Sequence, residues 1–213
     1  MLRTALLLPL LFAAPLLAPD HHEQAAPARP LWQCDTTHSN LGFSVPILGG
    51  LASVDGKFAG FGVELTYDPE QPTAATLSVS IDAASIDTGI DKRDAHLRTA
   101  DFFEVETYPT ITFVSTSVES DEDGVLHVTG PLSLHGVTKD VVMQVRVVGE
   151  QRDEAGGLTA LGFTGTLQVN RNDFGIVDAP RGRKGFVGHE IAVTVRLLAF
   201  PPQPAGDEDA AGR

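Results

Sequence analysis

Two short stretches hold the side chains best suited to acid–base or metal chemistry. Arg93-Asp94-Ala95-His96 sets a cation, a carboxylate and an imidazole side by side, and His38-Ser39 sets a base beside a hydroxyl. A metal site needs more than two ligands, and on a helix they must be spaced i, i+3 or i+4 to share a face. Asp94 and His96 are i, i+2 apart and diverge on a helix. On a strand they would share a face, but no second His or Cys cluster lies nearby to complete the sphere. A nucleophile needs a paired base and an orienter, which adjacency of His38 and Ser39 does not provide. No GxSxG, HExxH, P-loop or Rossmann glycine pattern occurs. The residues therefore point to a non-catalytic chain with no metal and no cofactor. Arg93 and Asp94, joined by Arg98 and Asp101, are instead suited to tie a short helix to strand ends by charge-assisted hydrogen bonds. The single cysteine, Cys34, excludes an internal disulfide and reads as a half-buried strand residue.

The segments that must position these residues fall into three parts. Arg3 precedes an apolar run from Ala5 to Ala18. That run is shorter than the roughly 20 residues of a membrane span and suits a secretory leader. Residues 1–28 are read as a signal-peptide-like segment and linker, so the expected location is periplasmic or secreted. An uncleaved segment would instead tether the chain to a membrane. Residues 31–200 form one domain, and residues 201–213 form a Pro-rich, acidic tail without periodicity. The formal net charge of -13 disfavours nucleic acid and anionic lipid headgroups as partners and leaves an uncharged ligand allowed.

Inside the domain the dominant period is two. Leu41, Phe43 and Val45 share one side, as do Phe61, Val63, Leu65 and Tyr67, and again Leu77, Val79, Ile81 and Ala83. Further runs lie at Thr110–Val118, Val125–Leu134, Val141–Val148, Leu161–Val169 and Ile191–Leu197, separated by turns such as Asp121-Glu122-Asp123-Gly124. About eight sequential strands with short connections indicate an all-β antiparallel sandwich or barrel, and closing the sheet would remove its open edges. Glycines within the runs, among them Gly42, Gly56, Gly130 and Gly165, mark bends or close approaches. Period two fails only around Asp87–Phe103. There Asp91 and Arg98 suit the first and last turns of a short helix, and Pro109 marks entry to the next strand.

Several of these stretches resemble the YceI-like family of bacterial extracytoplasmic proteins. They are THSNLGFSV, VDGKFAGFGVELTYDP, SIDTGIDKRDAHLRTADFFEVETYPTITF, VTGPLSLHGVTKDVVMQV and RNDFG, in that order. The chain departs from the family at Ile47-Leu48-Gly49-Gly50, where many relatives carry a basic, His-containing segment. The resemblance implies an antiparallel eight-stranded lipocalin-like barrel, with a short helix between the third and fourth strands and a long apolar chain inside.

The inward apolar set read from the pattern is Leu41, Phe43, Val45 and Phe58, then Leu77, Val79, Ile81 and Phe113. It continues with Leu132, Leu134, Met143, Val145, Phe163, Leu167 and Ile191, and Phe102 and Phe103 are expected to plug one end. The same residues could equally form an ordinary packed core. Polar candidates at a mouth are His38, Ser39, Arg93, Asp94, His96 and Arg171. Arg171 also suits a turn with an ion pair to Asp173, and His135 suits a hairpin. The function that the resemblance implies is binding, transport or storage of a polyisoprenoid or isoprenoid-quinone-like lipid. Alternatives are a fatty acid or fatty amide sequestering stress protein, and a lipid- or quinone-modifying enzyme using His38 or His96. A homodimer and a weak membrane association stay open as partner states.

Overall fold

Residues 31–177 and 185–202 are described by a computed structural model. The leader-like run and the acidic tail past residue 202 lie outside the described residues. Alternating apolar and polar side chains build the early strands β1 (Gln33–Ile47), β2 (Ala52–Phe58), β3 (Phe61–Thr66), β4 (Thr76–Asp82) and β5 (Ile86–Asp87). After helix α1 (Asp91–Leu97) come β6 (Thr110–Val114), β7 (Ser117–Ser120) and β8 (Leu126–Leu134). The last three are β9 (Val137–Arg152), β10 (Leu158–Asn170) and β11 (Glu190–Phe200). All pair antiparallel in one curled sheet of order β3-β4-β6-β8-β9-β10-β11-β1-β2-β5, with β7 on β8.

The sheet has eleven strands among the described residues, not eight. The additions are β2, β5 and β7. β2 (ASVDGKF) turns only Val54, Gly56 and Phe58 inward, and its outward Asp55 and Lys57 make it look like a polar turn. β5 is two residues long and pairs only with the end of β2. β7 starts at the end of the Thr110–Val118 run, runs on to Ser120 and pairs with β8. The curl brings the end strand β3 against the start of β1, where Trp32, just before β1, pairs with Leu65 through a 2.8 Å hydrogen bond from Trp32 N–H to Leu65 O.

Two glycines allow the curl. A Cβ on Gly130 in β8 would stand 2.0 Å from the carbonyl oxygen of Val114, so the chain can cross there only without a side chain. Gly56 lies opposite Phe43 in the β1–β2 ladder, and a Cβ on it would stand 2.4 Å from Phe43 Cζ, so the phenyl ring covers the bare backbone. Neighbouring strands thus lean together over an apolar interior.

At seven residues α1 is too short to be stable alone. Asp91 and Asp94 favour its first turn and His96 its last. Tertiary bonds do the rest. Arg98, the C-cap, donates from Nε to Ala84 O at 2.6 Å and from Nη2 to Ile86 O at 2.8 Å, pinning the helix end to the sheet.

Candidate functional site

The inner face of the curl surrounds a cavity of about 540 Å³ lined almost wholly by apolar side chains. One end is stoppered by aromatic rings: Trp32 meets Tyr67 edge-on at 5.9 Å, and Tyr67 meets Phe163 edge-on at 5.2 Å. Burial, with Asp68 adding to it, pushes the Tyr67 hydroxyl above its usual range, so this cavity-lining phenol stays uncharged. At the other end stand α1 and the loop after it. There Phe103 packs edge-on against Phe58 at 5.8 Å, and Phe58 lies tilted against Phe43 at 5.7 Å.

Every apolar residue assigned to the interior from the sequence lines this cavity. β1 contributes Leu41, Phe43 and Val45, β2 contributes Phe58, and β4 contributes Leu77, Val79 and Ile81. Phe113, Leu132, Leu134, Met143, Val145, Phe163, Leu167 and Ile191 come from the later strands, and Phe102 and Phe103 from the loop after α1. The sequence reading left out Val54 and Ile86, which sit on the strands it missed. It also left out Val63, Leu65 and Tyr67, although their alternation was visible, and Phe186 and Val187, whose segment has no periodicity.

The polar candidates separate. Arg93, His96 and Arg171 line the cavity, whereas His38, Ser39 and Asp94 do not. His38 is exposed on β1, where Nδ1 donates to the Asp35 carboxylate at 2.7 Å. That bond, followed by backbone N–H donors from His38 and Thr37, holds the Asp35 carboxyl below its ordinary range. Ser39 Oγ donates to Asp35 O at 2.5 Å and accepts from Leu198 N at 3.1 Å. It thereby patches the β1–β11 ladder where the register shifts between Asp35 and Asn40. The pair expected at a mouth is a bulge device on the sheet. Asp94 is 5% exposed and accepts from both the backbone N–H (3.0 Å) and the hydroxyl of Thr88, which caps the approach to α1.

Arg171, also 5% exposed, spans three backbone carbonyls. Nε donates to Gly188 O (2.9 Å), Nη1 to Ile176 O (2.8 Å) and Nη2 to Val187 O (3.1 Å). Asp173, its expected partner, pairs with Lys139 at 3.4 Å instead. His135 does turn the β8–β9 hairpin, at φ 52°, with Nδ1 donating to Phe174 O at 3.1 Å. His96 donates from Nε2 to Asp101 at 2.9 Å and stacks edge-on with Phe102 at 5.1 Å. Cys34 is half-buried, and burial pushes its thiol above the usual range, which makes it a poor nucleophile. No group of three or more metal-ligating side chains stands together among the described residues.

The comparisons with known proteins agree with this architecture. The family model described as the YceI-like domain matches residues 32–199. A UPF0312 protein of Shewanella baltica is 39% identical over 170 residues, 80% of this chain and 86% of its own length. Among solved structures, Burkholderia cenocepacia BcnA superposes with a TM-score of 0.71 at 23% identity, covering 79% of this chain and all of its own. A polyisoprenoid binding domain from Saccharophagus degradans superposes with a TM-score of 0.57 at 20% identity, covering 80% and 98%. At those identities the two structures speak for the fold. With its family model matched from Trp32 to Ala199 and its inner face turned on one apolar cavity, the chain belongs to the YceI-like domain family.

Proposed function

We propose that this protein binds the apolar chain of a lipid, of polyisoprenoid or isoprenoid-quinone type, inside its curled sheet and carries or stores it without catalysing a reaction on it. The observation behind this reading is the cavity of about 540 Å³, walled by side chains of nearly every strand and almost free of polar groups. At the packing density of protein interiors it has room for a chain on the order of twenty carbons. Each buried methylene gains about 0.8 kcal/mol before the costs of association, so a neutral chain can be held without charge pairing. The Saccharophagus degradans neighbour, a polyisoprenoid binding domain by name, supports the ligand class by likeness of fold. The non-catalytic part rests on the polar residues. His38 and Ser39, one half of the candidate acid–base chemistry, sit in a strand bulge away from the cavity, and the His96 Nε2–H is given to Asp101.

Export to the periplasm belongs to the same proposal and rests on the apolar run Ala5–Ala18 behind Arg3. Fractionation of cells making the full chain, with sequencing of the mature N-terminus, tests it.

The lipid reading is tested by native mass spectrometry and organic extraction of the full-length protein purified without detergent. A co-purifying long-chain lipid is the expected result. A protein that stays empty and takes up neither isoprenoid quinones nor fatty acids or amides when offered them overturns the reading. Recovery of a fatty amide or acid alone would shift it to the sequestering alternative.

A further inference from the structure

Among the polar side chains that line the cavity, Arg93 stands apart. The Arg171 guanidinium is spread over three carbonyls, and His96 gives its Nε2–H to Asp101. Arg93 donates from Nε to Thr88 Oγ1 at 2.7 Å and from Nη2 to Thr88 O at 2.8 Å, and Nη1 makes no hydrogen bond among the described residues. It makes no direct ion pair with a carboxylate among the described residues either. The adjacent Asp94 is turned onto Thr88, whose hydroxyl donates to Asp94 while accepting from Arg93. A buried carboxylate, a threonine and the arginine therefore form a relay that fixes the guanidinium in direction without neutralising it by an ion pair.

Arg93 is half-buried, and its nearest carboxylate, Asp94, reaches it only through the Thr88 hydroxyl, so its outer N–H groups keep unmet capacity for an anion. An oxyanion brought in by a ligand meets that capacity through short, charge-assisted hydrogen bonds. The place suits a head rather than a tail. α1 lies at the end opposite the Trp32–Tyr67–Phe163 stopper, so a chain whose tail lies against that stopper has its head beside Arg93. With a net charge of -13 the protein as a whole repels anions, so attraction to an anionic head has to come from a local cation such as this one.

We infer that Arg93 is the head-group anchor of the cavity, and that it selects single-chain amphiphiles ending in an anionic oxygen group, a carboxylate or a phosphate. The inference rests on the lipid-binding reading above: a phosphate head narrows it to an anionic isoprenoid, and a carboxylate head turns it to the fatty acid alternative.

The test compares three probes with the same hexadecyl tail: palmitate, hexadecyl phosphate and 1-hexadecanol. Binding is measured by displacement of a fluorescent apolar dye from lipid-stripped full-length protein. Wild type is expected to prefer one or both anions over the alcohol by roughly tenfold or more, the scale of a charge-assisted hydrogen bond. Added salt should narrow that preference. Which anion leads distinguishes a carboxylate from a phosphate ligand.

Arg93→Met should collapse the preference, Arg93→Lys should keep part of it, and Thr88→Val, which removes the Nε bond and leaves only the backbone carbonyl of residue 88 to hold the guanidinium, should reduce it. If Arg93→Met misfolds, the Lys and Thr88 variants decide. Equal binding of all three probes by wild type, or a preference that survives Arg93→Met, overturns the anchor and leaves the lipid container standing. Failure of wild type to bind any probe also overturns the anchor, while the container reading falls only if the protein extracts empty and takes up no isoprenoid quinone, fatty acid or amide.

Discussion

The indole Nε1 of Trp32 donates to the carbonyl oxygen of Tyr67 at 2.8 Å, while the two rings meet edge to face at 78°. The backbone of the same tryptophan joins β3 through Leu65, so one residue both ties the start of β1 to the end strand β3 and stoppers the interior. Trp32→Phe keeps a ring but leaves Tyr67 O without its donor, and should cost about 1 kcal/mol. Trp32→Ala should cost about 3–5 kcal/mol by opening the stoppered end. Urea unfolding followed by far-ultraviolet circular dichroism checks both, since the variants remove the only tryptophan.

Arg171 ties the turn after β10 to the strand-like segment around Val187 through the carbonyls of Ile176, Val187 and Gly188. Arg171→Met keeps the stem and removes the donors. It should destabilise the fold by about 3 kcal/mol, because buried carbonyls lose charge-assisted bonds. Amide hydrogen exchange should rise first at residues 185–189.

Gly130 and Gly62 should respond oppositely to alanine. At Gly130 a methyl group would meet the Val114 carbonyl, and the cost should be about 2 kcal/mol or more. At Gly62 nothing lies within 4 Å of the new Cβ, and φ is not in the left-handed region. Gly62→Ala should therefore be neutral or stabilise by up to about 1 kcal/mol, through lost freedom of the unfolded chain. Thermal melts of the two variants side by side give the comparison.

Acid sensitivity should trace in part to Asp121 and Asp35. The Val125 N–H is the largest cause holding the Asp121 carboxyl below its usual value, with His127 and Asp123 adding to it. The His38 side chain leads at Asp35. Both folded pKa values lie below the reference of 3.8, so the stability they contribute is present above that pH and is lost as pH falls through the lowered values. Asp121→Asn should flatten that part of the stability profile between about pH 4 and pH 2 while leaving its neutral limb in shape. Denaturant midpoints measured across that range check it.

Val79 faces the cavity from the middle of β4. Val79→Phe fills space that a ligand would otherwise occupy. It should lower affinity for a hexadecyl probe by about tenfold, with a melting temperature within a few degrees of wild type. Dye displacement and calorimetry on the same sample separate loss of binding from loss of fold.

Much of this architecture was legible because a strand buried on one face has to alternate, and alternation is a local property of the chain. Leu77, Val79 and Ile81 could be assigned inward without knowing which strands flank them, and the register with Phe113 and Ile111 then bore out their side of the sheet. The helix could be placed because Asp91, Leu97 and Arg98 carry their signals within two turns. β2 escaped because a glycine, Gly56, occupies one of its inward positions and is covered by Phe43 from the opposite strand.

The sequence by itself determined that the fold is all-β and antiparallel, which apolar residues turn inward, and that the acid–base residues lack the spacing of a metal or nucleophile site. Only the tertiary structure decided that the inward residues surround a cavity rather than fill it, because unfilled volume depends on how strands far apart in sequence lean together. It alone assigned the polar side chains their partners. Ser39 met Leu198, and Arg171 met Val187 and Gly188, because hydrogen bonding of a buried group is settled by whichever backbone the fold brings within reach.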